Sequence, residues 1–238
     1  MTGSTTTNNV ASDSTENHHV SDRRGILFII SAPSGAGKTT LCKQITSSVA
    51  GLWHSISCTT RKPRPGEEDG REYFFVDEKT FHDMVARNEF LEYAHVYGHW
   101  YGTPRKVLLD RMEQGFDVLL EIDVQGALQV KKKFADAVYI FILPPSMDVL
   151  RARLQSRASD SQEEIVRRLQ KAKEEVWSFR EYYYIVRNED LACSLPELES
   201  IFLAERLKTK RLDMQWFEQN FILEKDTKQV ERQPSTAS

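Results

Sequence analysis

Ala32-Pro33-Ser34-Gly35-Ala36-Gly37-Lys38-Thr39 carries the strongest chemistry in the sequence. Small residues in succession let backbone N–H groups turn into one concavity, and a following helix adds the positive end of its dipole. Lys38 then places an ammonium on the outer phosphates of a nucleotide. Thr39 offers its hydroxyl to a magnesium ion. The generic loop opens on glycine where this chain has Ala32, a replacement that strains the backbone only if its φ is positive. A glycine- and serine-rich turn with no phosphate chemistry is the plainer alternative. The apolar run Ile26–Ile30 before the loop and the helical spacing of Leu41, Ile45 and Val49 after it favour the phosphate loop.

Other charged groups suit the same anion. Arg61 and Arg64 sit in Arg61-Lys62-Pro63-Arg64-Pro65-Gly66, where prolines and glycine forbid a helix and stiffen the display; a merely solvated loop is the alternative. Val118-Leu119-Leu120-Glu121-Ile122-Asp123 reads as a buried strand whose two carboxylates share one face at its carboxyl end. Such a pair can hold magnesium through its water shell, and Asp123 can equally cap the next helix. Arg153 and Arg157 stand one helical turn apart without acidic partners and repel one another unless an anion lies between them.

Around these groups the pattern alternates strand and helix. Ser55–Thr60 and Tyr73–Val76 read as strands, Asp77 as an N-cap, and Phe90–Tyr97 as a strand turning at Gly98-His99 into Trp100-Tyr101. Thr103-Pro104 has the form of an N-cap with proline at the first helical position, opening a helix that ends near Gly115. A helix over Ala127–Phe134, a strand over Val138–Leu143 and a helix from Ser146 follow. Ser161-Gln162-Glu163-Glu164 starts a long helix that carries Arg168, the residues between it and the preceding helix forming a breakable tip. Tyr184–Val186 is the last strand, Ser194–Glu197 starts the last long helix, and Trp216, Phe217 and Phe221 suit a short extra one.

Bulk properties narrow the class. The 238 residues suit one α/β domain with insertions. With 32 Lys+Arg against 35 Asp+Glu the net charge is −3, so no global field points to nucleic acid. Cys42, Cys58 and Cys193 have neither disulfide-framework nor metal spacing, which fits the cytoplasm. No apolar run is long enough to span a membrane. Residues 1–22, rich in Ser, Thr and Asn, are expected to be a disordered tail in which His18-His19 is simply solvated.

The stretches SAPSGAGKTT, SCTTRKPRPGEEDGREYFFV, LEYAHVYGHWYGT, LEIDVQG and the RL-x-x-R and RRL arginines, in this order, resemble the guanylate kinase family over residues 24–207. The resemblance implies an α/β P-loop fold with a three-layer parallel-sheet core, an inserted mixed-sheet GMP-binding flap and a helical lid. The corresponding division is core 23–56, 104–150 and 176–207, flap 57–103 and lid 151–175, with a C-terminal extension over 208–238. It implies magnesium-dependent transfer of the ATP γ-phosphoryl group to GMP. Under it, residues 32–39 and Asn188 bind ATP. Arg61, Arg64, Tyr73 and Tyr101 grip the GMP phosphate, while Ser57, Glu92 and Thr103 read the base with Asp123 nearby. Lys38, Arg153, Arg157, Arg168 and Asp123 act in catalysis. Thr39 and Asp123 hold the metal through water, Asp123 being preferred because the family usually has aspartate at the position of Glu121.

A carboxylate such as Glu92 suits guanine, whose N1–H and exocyclic amine stand side by side; adenine would put an acceptor where guanine has a donor. Two other readings compete. One is a phosphopeptide-binding scaffold module, which typically loses the loop lysine and lid arginines that are kept here. The other is a related P-loop kinase with a different acceptor, against which Glu92, Ser57 and Thr103 argue. ATP and GMP are the partners indicated, without nucleic acid or membrane, and monomer and homo-oligomer both stay open.

Overall fold

The computed structural model describes residues 23–156 and 162–221. The tail 1–22, Arg157, the expected tip around Ser161 and residues 222–238 lie outside the described residues.

Uninterrupted apolar runs form the central sheet, because a strand covered on both faces has no reason to alternate. Strands β1 (Leu27–Ser31), β2 (Leu52–His54), β7 (Asp117–Glu121), β8 (Val138–Leu143) and β9 (Tyr184–Arg187) lie parallel in the order β2-β7-β1-β8-β9. Phe28 and Ile30 of β1 point to helices α1 (Lys38–Ser48) and α7 (Leu191–Arg206), where Leu41, Ile45, Leu198 and Phe202 complete one core. Leu27 and Ile29 point the opposite way, to α3 (Arg105–Glu113) and α4 (Val124–Lys131), meeting Leu108, Met112, Ala127 and Val130. These three layers place the β1–α1 loop at the carboxyl edge of the central strand, where open parallel sheets bind ligands.

A second, mixed sheet is built from β3 (Cys58–Thr59), β4 (Phe74–Phe75), β5 (Phe90–Val96) and β6 (His99–Pro104) in the order β4-β3-β6-β5. Its own small core joins Cys58 and Phe90 to Phe81 of α2 (Glu78–Ala86), a helix capped by Asp77 accepting from the Thr80 N–H. Helices α5 (Met147–Gln155) and α6 (Gln162–Glu175) pack on one another through Leu150, Leu154, Ile165 and Ala172. The long expected helix stops at Glu175 and tightens into a 3₁₀ turn over Val176–Glu181, and Met214–Phe221 form the short α8.

Several expectations are corrected. Strand β2 was not expected, and the run Ser55–Thr60 keeps only two strand residues. The β5–β6 turn is Tyr97-Gly98, both with positive φ, so His99 belongs to the strand. Thr103 does not cap α3: it is buried within β6, and Pro104 is the residue at the cap. Helix α4 begins at Val124 behind an Asp123 cap, and α7 begins at Leu191 behind an Asp190 cap whose Oδ1 accepts from the Cys193 N–H.

Asp117, fully buried at the start of β7, ties the approach to β1 and the last turn of α7 to the sheet. Its Oδ1 accepts from the Ile26 N–H at 2.8 Å, and its oxygens pair with Arg206 at 2.6 Å and Arg23 at 2.9 Å. Asp117→Ala strands two arginines and a backbone donor at a buried site. A loss of about 3–5 kcal/mol in unfolding free energy is expected by denaturant titration, with nucleotide affinities unchanged.

Candidate active site

The phosphate loop is shaped by two left-handed glycines, Gly35 and Gly37, each at φ 92°. Neither tolerates a side chain: a Cβ on Gly35 would lie 2.9 Å from Leu154 of α5, and one on Gly37 would collide with the Asn188 amide. Ala32 is not among the positive-φ residues and packs into the core, so the missing glycine costs nothing. The loop is held from outside by two residues. The Asn188 amide donates to the Ala36 carbonyl at 2.7 Å, and Arg153 donates to the carbonyls of Ala36 (3.3 Å), Asn188 (3.0 Å) and Glu189 (3.2 Å).

Residues of the loop line a cavity of about 270 Å³ that runs from the central sheet to the second sheet. At the loop end, Glu121 is a hub. It accepts from the Thr39 hydroxyl at 2.6 Å, pairs with Lys38 at 3.7 Å and lies 3.7 Å from His54, whose pKa burial lowers. Lys38 also donates to the Ile122 carbonyl at 3.0 Å. Asp123 is turned elsewhere: its Oδ1 caps α4 by accepting from the Gly126 N–H at 2.9 Å. The two carboxylates part because β7 ends at Glu121, so the alternation that would put them on one face stops before Asp123. The residue beside Thr39 is therefore Glu121, where the sequence reading preferred Asp123.

At the far end lies Glu92, 3 % exposed, on β5. Its Oε1 accepts from the Thr103 hydroxyl at 2.6 Å, and its Oε2 reaches so close to the first turn of α4 that any side chain at Gly126 would strike it. Burial pushes its pKa up to about 7; the Thr103 hydrogen bond opposes the rise and the Asp123 charge adds to it. Ser57, Arg64, Tyr73, Tyr101 and Asp123 line the same end, and Arg168 and Lys171 of α6 line the side. Arg61 does not line the cavity. It pairs with Glu67 at 2.9 Å, lies over the Tyr73 ring at 5.4 Å and interacts with Tyr101, so it braces both tyrosines.

Most expected site residues thus face one cavity. Thr103 stands behind Glu92, while Arg153 and Asn188 stand behind the phosphate loop. Among the described residues no cluster of three or more histidine, cysteine or acidic side chains could hold a metal ion by itself. The Thr39–Glu121 oxygen pair fits a magnesium ion that brings its remaining ligands as water and phosphate.

The guanylate kinase family profile matches residues 24–205. The chain belongs to the guanylate kinase family. It is 45 % identical over 202 residues to a guanylate kinase of Carboxydothermus hydrogenoformans, covering 85 % of this chain and 99 % of that one. It is 51 % identical over 191 residues to a guanylate kinase of Nitrobacter winogradskyi, covering 80 % and 87 %. The crystal structure of guanylate kinase from Anaplasma phagocytophilum superposes with a TM-score of 0.72 at 33 % identity, covering 86 % of this chain and 99 % of that one.

The sequence does not single out Gly126, Tyr97 or Glu175, and it leaves Lys171 as a solvated helix residue, yet all four lie at or beside the cavity. Gly126 and Tyr97 carry a signal, lying within the LEIDVQG and LEYAHVYGHWYGT stretches that bear the resemblance, whereas Lys171 and Glu175 have none that separates them from ordinary surface residues. The burial of Glu92 has a measurable consequence. Its pKa lies above the usual carboxylate range, so the folded chain binds more protons than the unfolded chain between about pH 4.5 and 7. The contribution of Glu92 to wild-type stability falls as pH rises through that window. Glu92→Gln removes the ionisation. Without nucleotide, its melting temperature should match wild type near pH 5 and exceed it at pH 8, by the equivalent of about 2–3 kcal/mol.

Proposed function

We propose that the protein is an ATP:GMP phosphotransferase, which transfers the γ-phosphoryl group of ATP to GMP, giving ADP and GDP in cytoplasmic purine nucleotide metabolism. One observation carries this reading: a single cavity joins a complete phosphate loop to a buried carboxylate backed by a hydroxyl. The first feature calls for a nucleoside triphosphate and the second for a neighbouring pair of N–H donors, which guanine has. A phosphopeptide-binding module needs neither Lys38 nor Glu92.

In this reading the backbone N–H groups of the loop, apart from that of Ala36, which donates to the Pro33 carbonyl, bind the ATP phosphates, with Lys38 on the outer ones. Thr39 and Glu121 hold magnesium, which when bound draws charge from the phosphates. Arg64, Tyr73 and Tyr101 fix the GMP phosphate in line with the γ-phosphorus, and Arg61 keeps Tyr73 in place. Glu92 accepts from guanine N1–H and the amine; Ser57 and Thr103 complete that end. Arg168 stabilises the charge on the migrating group from the side, and Arg157 has the same role by family resemblance. Arg153 acts by fixing the loop. The division into core, flap (57–103) and lid (151–175) follows from these roles. Transfer needs little covalent work from the protein, since positioning and electrostatic stabilisation account for most of the rate.

The test is an ADP-release assay with ATP and magnesium across GMP, AMP, UMP and CMP. GMP should be preferred by a factor on the order of 10⁴ over AMP. Lys38→Ala should lower kcat by roughly 10³ or more while the melting temperature holds. Gly126→Ala, which displaces Glu92, should raise KM for GMP by roughly 10- to 100-fold and leave KM for ATP nearly unchanged. A wild type that ignores GMP, or prefers another acceptor, sinks the reading.

A further inference from the structure

Tyr97 lies at the tip of the β5–β6 hairpin, in a conformation that tyrosine seldom takes. Its φ is +49°, and with Gly98 at +84° it makes a tight two-residue turn normally given to asparagine or glycine. A bulky residue kept there against its preference points to work for the side chain. The ring meets three cations of one helix: Lys171 Nζ lies 4.6 Å from its centroid, and the guanidinium carbons of Arg167 and Arg168 both lie at 5.4 Å. Three like charges so close repel one another. The electron-rich ring face offsets that repulsion, helped by the pairs Lys171–Glu175 at 3.3 Å and Arg168–Glu164 at 3.2 Å.

The location matters as much as the contact. The hairpin that ends in Tyr97 also carries Glu92, Tyr101 and Thr103, the acceptor end of the cavity. Helix α6 carries Arg168, Lys171 and Glu175 along its side. Tyr97 is therefore where the acceptor sheet touches the cationic helix, and it lines the cavity itself. Its hydroxyl is buried beside Ser34 of the phosphate loop and makes no close hydrogen bond among the described residues, whereas the three cation contacts are all made by the ring.

We propose that Tyr97 is a positioning residue that couples the two substrate ends: its ring gathers Lys171, Arg167 and Arg168, so that a filled acceptor site sets the α6 cations against the transferring phosphate. This rests on the function proposed above. The ring, not the hydroxyl, is the working part.

Four proteins test it: wild type, Tyr97→Phe, Tyr97→Asn and Lys171→Met. Asparagine keeps the left-handed turn and removes the ring. Two readouts are taken, steady-state kinetics and the affinity of a non-hydrolysable ATP analogue with and without saturating GMP. GMP should tighten the analogue in wild type and in Tyr97→Phe. In Tyr97→Asn that tightening should vanish and kcat should fall by about tenfold, the scale of a desolvated cation–ring contact, while the affinity for GMP measured without the ATP analogue stays within about twofold. Lys171→Met should show the same pattern, and the double variant should be no worse than Tyr97→Asn alone.

Wild-type coupling in Tyr97→Asn overturns the inference. So does equal damage in Tyr97→Phe, or multiplying losses in the double variant. If Tyr97→Asn fails to fold, Lys171→Met decides by itself: unchanged coupling there overturns the inference. An inactive wild type would sink the function and this inference together, whereas an active wild type with any of the preceding results sinks only the inference.

Discussion

A carboxylate kept almost entirely from water is the constraint on which the site depends. Glu92 is 3 % exposed and has one hydroxyl, that of Thr103, as its hydrogen-bonding side-chain partner. Ionised, it is costly there, and burial raises its pKa to about 7 accordingly. The surroundings are arranged to keep it in place despite that cost. Thr103 is buried on the neighbouring strand, and Gly126 leaves room where any side chain would push the carboxylate out. A base offering two adjacent N–H donors repays the desolvation, while one offering an acceptor adds to it, so the discomfort of the empty site becomes selectivity in the filled one.

The phosphate end follows the opposite logic, because its charged side chains already have partners that a nucleotide can replace. Thr39, Lys38 and His54 converge on Glu121, a compact group that a phosphate and its cation would separate. Behind the loop, Asn188 and Arg153 both donate to the Ala36 carbonyl. The loop is stiff because it is braced from outside, and stiffness keeps the donors aimed at charge that develops only during transfer. The acceptor sheet and the α5–α6 pair each have a small core of their own, separate from the two cores that clamp the parallel sheet. Parts packed that way can shift relative to the sheet without opening it.

Much of this was legible in the sequence. Strands buried on both faces announce themselves as continuous apolar runs, so β1, β7 and β8 were plain. The glycines of the phosphate loop follow from backbone geometry, and most expected cavity residues do face one space. What escaped was decided by tertiary context. Leu52-Trp53-His54 is too short a run to call a strand until β7 offers it an edge. Thr103-Pro104 has the form of a helix start, yet the chain stays extended through Pro104 because β5 pairs with it. Glu121 and Asp123 look equivalent until the strand is seen to stop between them. Arg153 looked like an unpaired charge because carbonyl partners on the phosphate loop and the β9–α7 turn, far off in sequence, leave no local mark.

Proton release on GMP binding tests the role of Glu92 most directly. At pH 7 about half of the free protein should carry a proton on Glu92, which must leave before the carboxylate can accept from guanine. Calorimetric titration in two buffers of different ionisation enthalpy counts that proton, with Glu92→Gln correcting for any released by the phosphate. Wild type should release about half a proton more per GMP than Glu92→Gln at pH 7, and no more at pH 9. Equal release by the two proteins at pH 7 would contradict the assignment of Glu92 as the base-reading carboxylate.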